Sequence, residues 1–405
     1  MNHDRTSAGF KERTRVADAR ECLLAAVSCH DRTERLPLAA ADGRAVAGTV
    51  TAPNPVPGYD RAAMDGWAVR AADTFGASGR SPAVLRAAEG EVTPGEAVRV
   101  HTGSELPAGA DAVLKVEEAE ELGDEVEAFD AVAEGENVGP TGEDVAEDQP
   151  LYEPPHRLRP SDLGLLKSVG LDEVEAFERP RVAVVPTGEE LVQSDPEPGE
   201  VIETNGLTVS RLAERWGAES TYREIVTDDE DALRAAVERD LDHDVVVTTG
   251  GSSVGERDLI PEVVADLGEV PVHGVALKPG HPVALGIVEG TPVLMLPGYP
   301  VACIVNAVQF LRPVVKRVGG LPDEPHPTRR ATLTRKISSE PGTRTFARVK
   351  LAEGSDGLEA EPTRASGSGV LSSVALADGW VVVPESREGL DAGETVDAEL
   401  WEVDE

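Results

Sequence analysis

From Arg181 to Val318 the chain alternates short β-branched runs with amphipathic stretches, and this rhythm constrains the fold more than any other feature. Strands are predicted over Arg181–Val185, Ser220–Val226, Asp244–Thr249 and Pro271–Leu277, followed by a hairpin-like pair, Pro282–Ile287 and Pro292–Leu296. Helices are predicted over Gly206–Trp216, Asp229–Leu241, Asp258–Leu267 and Val301–Val318. Strand–helix alternation of this kind predicts a mainly parallel sheet covered on both faces, a three-layer αβα unit. Each strand then ends in polar or glycine-rich sequence: Thr187-Gly188-Glu189-Glu190, Thr227-Asp228-Asp229, Gly250-Gly251-Ser252-Ser253, Lys278-Pro279-Gly280-His281 and Pro297-Gly298-Tyr299-Pro300. Right-handed crossovers bring such ends to one rim, where open α/β sheets bind ligands.

The flanks read differently. Residues 11–30 carry an amphipathic helical pattern, and Pro160-Ser161-Asp162 opens a helix over Ser161–Val169. Between them, Arg44–Ala52, Ala83–Ala87, Ala97–Thr102 and Ala112–Glu117 are short β-branched runs between Gly/Pro turns. After the Gly/Pro-rich linker 319–327, residues 328–405 again read as all-β, ending in Trp380–Pro384 and Thr395–Trp401. No internal repeat is seen.

With 75 acidic against 38 basic residues the net charge is −37, spread along the chain. Such a surface repels nucleic acid and anionic membranes. Molar salt shortens the Debye length to ~3 Å, so dense carboxylate fits a salt-rich cytosol, and a halophilic source is expected. Seven lysines occur, which draws attention to Lys278. No run approaches the roughly 20 apolar residues of a membrane span, and residues 1–15 lack a secretory apolar core. Cys22, Cys29 and Cys303 have no metal-ligand spacing, which points to reduced thiols and a cytoplasmic protein; Cys22 and Cys29 are expected to pack in a core.

The predicted rim gathers carboxylates (Glu190, Asp228, Asp258), one cation (Lys278) and glycine-exposed backbone donors at Gly250 and Gly251. Oxygen ligands of this type suit Mg²⁺ beside a phosphate, and a lysine neutralises an oxyanion. Each has a plainer explanation: Asp229 as a helix cap, Glu189 as a solvent-facing acid, Lys278 as a turn residue. Their coincidence on one rim favours a site. Outside the unit, Asp65 precedes Gly66 in a tight turn, Thr102-Gly103 ends a strand, and Gly142-Glu143-Asp144 closes the β-rich stretch.

These motifs together resemble the molybdopterin molybdotransferase family of the MoeA type, also found as the E domain of gephyrin. The resemblance runs from about residue 12 to 403 and rests on 63–69 (Ala-Met-Asp-Gly-Trp-Ala-Val), Thr102-Gly103, 142–144, 186–191, 248–258, Lys278-Pro279-Gly280, 296–300, Arg344-Thr345-Phe346-Ala347-Arg348 and 367–373. It implies four units: an elongated helix-containing one (1–36 and 145–178), a β-rich insertion (37–144), an α/β molybdopterin-binding unit (179–322) and a C-terminal β-barrel (323–405). It also implies a homodimer, with each cleft lined by the insertion of one subunit and the α/β and C-terminal units of the other. The implied reaction takes adenylylated molybdopterin and molybdate, inserts the metal and releases AMP with Mg²⁺.

Residue by residue, the resemblance makes Asp65, Thr102, Asp144, Glu190 and Asp228 catalytic. Asp258 and Glu190 become the metal ligands. Thr249, Gly250, Gly251, Ser253, Lys278, His281, Pro297, Gly298, Arg344, Arg348 and Ser368 become substrate-binding. One departure stands out: His281 takes the place of a second family lysine, and only its protonated form would hold an oxyanion as strongly. Tungstate is nearly isosteric with molybdate. A molybdopterin adenylyltransferase would lack residues 36–144 and 328–405, whereas a non-catalytic scaffold would not need the polar rim.

Overall fold

The computed structural model describes residues 13–250, 259–355, 357–364 and 367–403. Its centre is a six-stranded sheet in the order Glu219–Tyr222, Arg181–Thr187, Val245–Gly250, Thr291–Leu296, Ala284–Val288, Glu269–His273. The first four strands are parallel, and Ala284–Val288 runs antiparallel to both of its neighbours. Side chains alternate along each strand, so both faces are apolar. Val245, Val247, Leu294 and Leu296 face helix Asn205–Arg215 and the chain from 300 to 318. Val246, Val293 and Met295 face helices Glu230–Arg239 and Leu259–Leu267. Continuous burial on two sides explains the unbroken Val/Leu runs of these strands.

The expected final helix is Pro300–Asn306 and Arg312–Val318 joined by a π-helical turn over Ala307–Leu311. Pro313 has no N–H for the helical ladder, and the wider turn ahead of it accommodates that loss. The expected strand Pro271–Leu277 is also revised. Pairing with the sheet ends at His273, and Leu277–Lys278 instead runs parallel to Arg344–Thr345 of the C-terminal barrel.

That barrel closes through Arg344–Gly354, Gly357–Arg364, Thr328–Leu333, Thr395–Glu399 and Gly379–Val383, the last pairing back onto the first. The β-rich stretch forms a six-stranded curled sheet in which Gly66–Val69 lies between the edge strand Ala112–Lys115 and Glu96–Val100. Much of the expected strand Arg44–Ala52 is irregular. It makes isolated bridges at Ala45 and Val46 and a two-residue strand, Val50–Thr51.

Helix Val16–Ala25 is shorter than the 11–30 pattern suggested, and Val16, Ala19 and Leu23 pack into the core shared with the α/β sheet. Cys22 and Cys29 are exposed, not buried, and all three cysteines are free. Cys22 lies off the inward stripe, and the helix stops before Cys29 can follow it. No described helix is long and apolar enough to cross a membrane.

Candidate functional site

Strand Arg181–Thr187 precedes both of its neighbours in the chain, which return on opposite sides of it. The carboxyl edge of this strand pair is therefore a topological switch point, the usual ligand position in such sheets. There Thr187 sits opposite Gly250, which has φ +139°; a Cβ on Gly250 would lie 1.9 Å from the Thr187 carbonyl oxygen. Only glycine fits. The next loop closes the same edge, since a Cβ on Gly298 would stand 3.4 Å from Gly250 Cα, with Pro297 just before it. Among the described residues the buried hydroxyls of Thr187, Thr248 and Thr249 have no hydrogen-bond partners, which is unusual for buried hydroxyls.

Two expected carboxylates meet at this rim. The Gly188 N–H donates to the Val226 carbonyl at 3.1 Å, which brings the 187–190 turn beside 226–228. Burial pushes the Asp228 carboxyl above its usual range, and the charges of Glu190 and Glu189 push it further, against a hydrogen bond from the Glu189 backbone. Like-charge crowding of this kind is relieved by a cation. Asp229 takes the helix-cap role instead, accepting the Ala232 N–H at 3.0 Å. Among the described residues no three acidic, histidine or cysteine side chains form a ready metal cage. Gly251, Ser253 and Asp258 lie outside the described residues.

Lys278 does not end a strand of the α/β sheet. Leu277–Lys278 pairs with the barrel, and the Lys278 Nζ donates to Glu340 Oε1 at 3.0 Å. His281 is half-buried; burial lowers its pKa first, then Arg13 and Lys278, against the opposing charge of Glu340. The imidazole is therefore biased towards its neutral form. Between them, Gly280 has φ +114° and its carbonyl accepts the Asn306 carboxamide at 2.9 Å, which docks this loop on helix Pro300–Asn306.

The same helix receives the C-terminal motif. The Ser368 carbonyl accepts the Val301 N–H at 2.9 Å, so Ser368 meets the Pro297–Gly298 loop. Arg344 pairs with Glu385, at 3.1 Å from Nε, and its backbone N–H donates to the Ala276 carbonyl. Arg348 is fully buried, and its guanidinium makes only long contacts, 3.4 Å to the Phe346 carbonyl and 3.4 Å to Ser373 Oγ. Its Nε has no partner, and burial lowers its pKa. Burial of a cation with so little compensation is costly.

Asp65 and Thr102 also meet. The Thr102 N–H donates to Asp65 Oδ1 at 2.8 Å and its hydroxyl at 3.2 Å, and together they hold the Asp65 carboxyl below its usual range. Asp144 is anchored by its backbone N–H to the Val56 carbonyl. Among the described residues, no hydrogen bond or ion pair joins Asp65, Thr102 or Asp144 to the rim at 187–190, 250 or 297–298.

Sequence reasoning passed over Asp60, which accepts the Thr141 N–H at 2.7 Å and hydroxyl at 2.8 Å in the same way. The repeated Thr-Gly dipeptides, 102–103 and 141–142, each with a carboxylate upstream, were the available signal. Glu340 and Asn205 gave none: one is a surface acid among many, the other resembles a helix cap.

An open α/β unit with a glycine-bearing switch-point edge, joined to a closed barrel that carries the buried Arg348, defines the class of protein. The chain belongs to the MoeA family. Family models match the MoeA N-terminal region (domains I and II) at residues 14–170, a domain described as a probable molybdopterin binding domain at 183–317, and the MoeA C-terminal region (domain IV) at 330–401. A Methanocaldococcus jannaschii chain named for molybdopterin biosynthesis is 36% identical over 87% of this chain and 88% of its own length. A Mycobacterium tuberculosis protein named molybdopterin molybdenumtransferase 2 is 32% identical over 91% of this chain and 94% of its own. The crystal structure of a MoeA protein from Pyrococcus horikoshii covers 96% of this chain and 100% of its own, at 33% identity and a TM-score of 0.84.

Proposed function

We propose that this chain is a molybdopterin molybdotransferase, which takes adenylylated molybdopterin and molybdate, inserts the metal at the dithiolene and releases AMP. The observation that carries the reading is the carboxyl edge of the sheet at its switch point, where the backbones of Thr187, Gly250 and Gly298 close together with no room for a side chain at Gly250. Family membership and the named transferase relatives support it.

Glu190 and Asp228 fit a hard cation, because their crowding already raises the Asp228 pKa. We propose that they, with Asp258, hold Mg²⁺ beside the phosphoanhydride; the ion would supply polarisation of that bond. Lys278 and Arg348 then hold the tetrahedral oxyanion by charge, with Ser368 and a neutral His281 as hydrogen-bonding neighbours. Arg344, already paired with Glu385, orients the barrel strand that carries Arg348. Asp65, Thr102 and Asp144 are separate from this rim in one chain, which favours a homodimer in which a second copy supplies them. A soluble cytoplasmic enzyme fits this chemistry.

The test is incubation of the purified chain with adenylylated molybdopterin, molybdate and Mg²⁺. Release of AMP with formation of the metal-loaded cofactor is expected. No AMP above the protein-free control overturns the reading.

A further inference from the structure

The loop that faces Gly250 has a brace from outside its own strand. Asn205, the first residue of helix Asn205–Arg215, donates from its carboxamide to the Gly298 carbonyl at 2.7 Å. Gly298 is the residue whose backbone closes on Gly250 Cα. The side chain of Asn205 therefore ties the Gly298 loop, where it packs on Gly250, to the helix.

Asn205 is itself held. Glu203 is buried, and its carboxylate accepts the Gly206 N–H at 2.6 Å and the hydroxyl of Tyr222. Gln193 donates to the same Tyr222 oxygen at 3.3 Å. Thr208 closes the first helical turn, donating from its hydroxyl to the Thr204 carbonyl at 2.8 Å. These bonds leave the backbone on both sides of Asn205 little freedom. The loop it braces has less support of its own: Pro297 and Pro300 carry no N–H, and Tyr299 is half-exposed.

We propose that Asn205 is a positioning residue that sets the Gly298 loop against Gly250 and so fixes the sheet edge at which the adenylylated pterin binds. This rests on the functional reading given above. The role needs a donor at that point. Asn205→Asp keeps the shape but sets a carboxylate oxygen against the Gly298 carbonyl, whereas Asn205→Ala removes the bond without adding repulsion.

The two variants are made in the full-length protein and read in two ways. Amide hydrogen exchange on the ligand-free protein should rise from Tyr299 to Cys303 in both variants, more in Asn205→Asp, with helix Glu230–Arg239 unchanged. In the AMP-release assay KM for adenylylated molybdopterin should rise roughly fivefold for Asn205→Ala and more for Asn205→Asp, as expected for one lost hydrogen bond, with kcat within about twofold. Unchanged exchange overturns the brace, whatever the ligand. Raised exchange with unchanged KM, or a loss confined to kcat, overturns the positioning role. If the wild type releases no AMP, the functional reading fails; a positioning role for that substrate falls with it, while the exchange measurement still decides whether the brace exists.

Discussion

The ammonium of Lys278 and the carboxylate of Glu340 form an ion pair 3.0 Å long between the strand Leu277–Lys278 and the turn at 339–343 of the barrel. The lysine proposed to hold an oxyanion thus already holds an internal one. Lys278 draws the Glu340 carboxyl below its usual range. Both side chains are well exposed, so the pair is weak.

Glu340→Gln should therefore tighten molybdate binding modestly, by about two- to fivefold, the scale of an exposed ion pair. Lys278→Ala should weaken it at least tenfold, judged by the larger weight of a charge-assisted contact to the ligand, roughly 1.5–3 kcal/mol. Calorimetry with molybdate alone measures both. Weaker binding by Glu340→Gln would show that Glu340 assists the anion.

The crowded pair Glu190 and Asp228 predicts a pH dependence. An acid whose pKa is raised begins to take up protons above the ordinary carboxylate range of about 4. Protonation removes a cation ligand, so Mg²⁺ affinity should fall with falling pH, and the fall should begin at a higher pH than for an ordinary carboxylate of about 4. Asp228→Asn should flatten that dependence and weaken binding at every pH. Affinity that is independent of pH in the wild type counts against Asp228 as a ligand.

Asp162 predicts a stability effect away from the site. It is buried at the start of helix Pro160–Ser168 and accepts the Arg159 N–H at 2.9 Å, the Arg159 guanidinium at 3.0 Å and the His156 ring at 2.8 Å. Burial opposes its charge, yet Arg159 and His156 hold its pKa far below the usual range, while its neighbour Tyr152 is pushed up to about 12. Because the folded pKa is depressed, the stabilisation is complete above about pH 4 and is lost as pH falls below it. Asp162→Ala should cost about 2 kcal/mol at neutral pH, the sum of a lost cap and its hydrogen bonds. Urea denaturation at pH 7 and pH 3 checks both sign and size: the gap between the wild type and the variant should be narrower at the lower pH.

The net charge of −37 predicts a salt response. Repulsion among surface carboxylates is screened as the Debye length falls to ~3 Å near 1 M salt, so the melting temperature should rise steeply from dilute buffer to that concentration. A flat curve would separate the acidic surface from any adaptation to salt.

The strands Arg181–Thr187, Val245–Gly250 and Thr291–Leu296 were legible because burial on both faces writes itself as unbroken apolar sequence, and Gly250 was legible because its neighbour's carbonyl excludes a side chain. The strand around Lys278 was misassigned for the opposite reason. The observed two-residue strand is made by a partner in a separate unit, and nothing local distinguishes that pairing from continuation of the sheet. Asn205 was passed over because a carboxamide at a helix start has a local explanation, and its actual partner Gly298 lies far along the chain. The irregular course of 44–52 has the same origin, since the bridges at Ala45 and Val46 depend on Arg157 and Ala176.

Val16, Ala19 and Leu23 share one apolar cluster with Val245, Leu294, Phe346, Trp380 and Trp401. The beginning, middle and end of the polypeptide are therefore stitched through a common interior, with Trp380 and Trp401 stacked 4.9 Å apart within it. Severing the backbone between Leu321 and Pro327 would leave two pieces that still cling together. Deleting the final strand would uncover indole surface against the first helix. The barrel is thus no detachable appendage, and loss of either terminus is felt throughout the molecule.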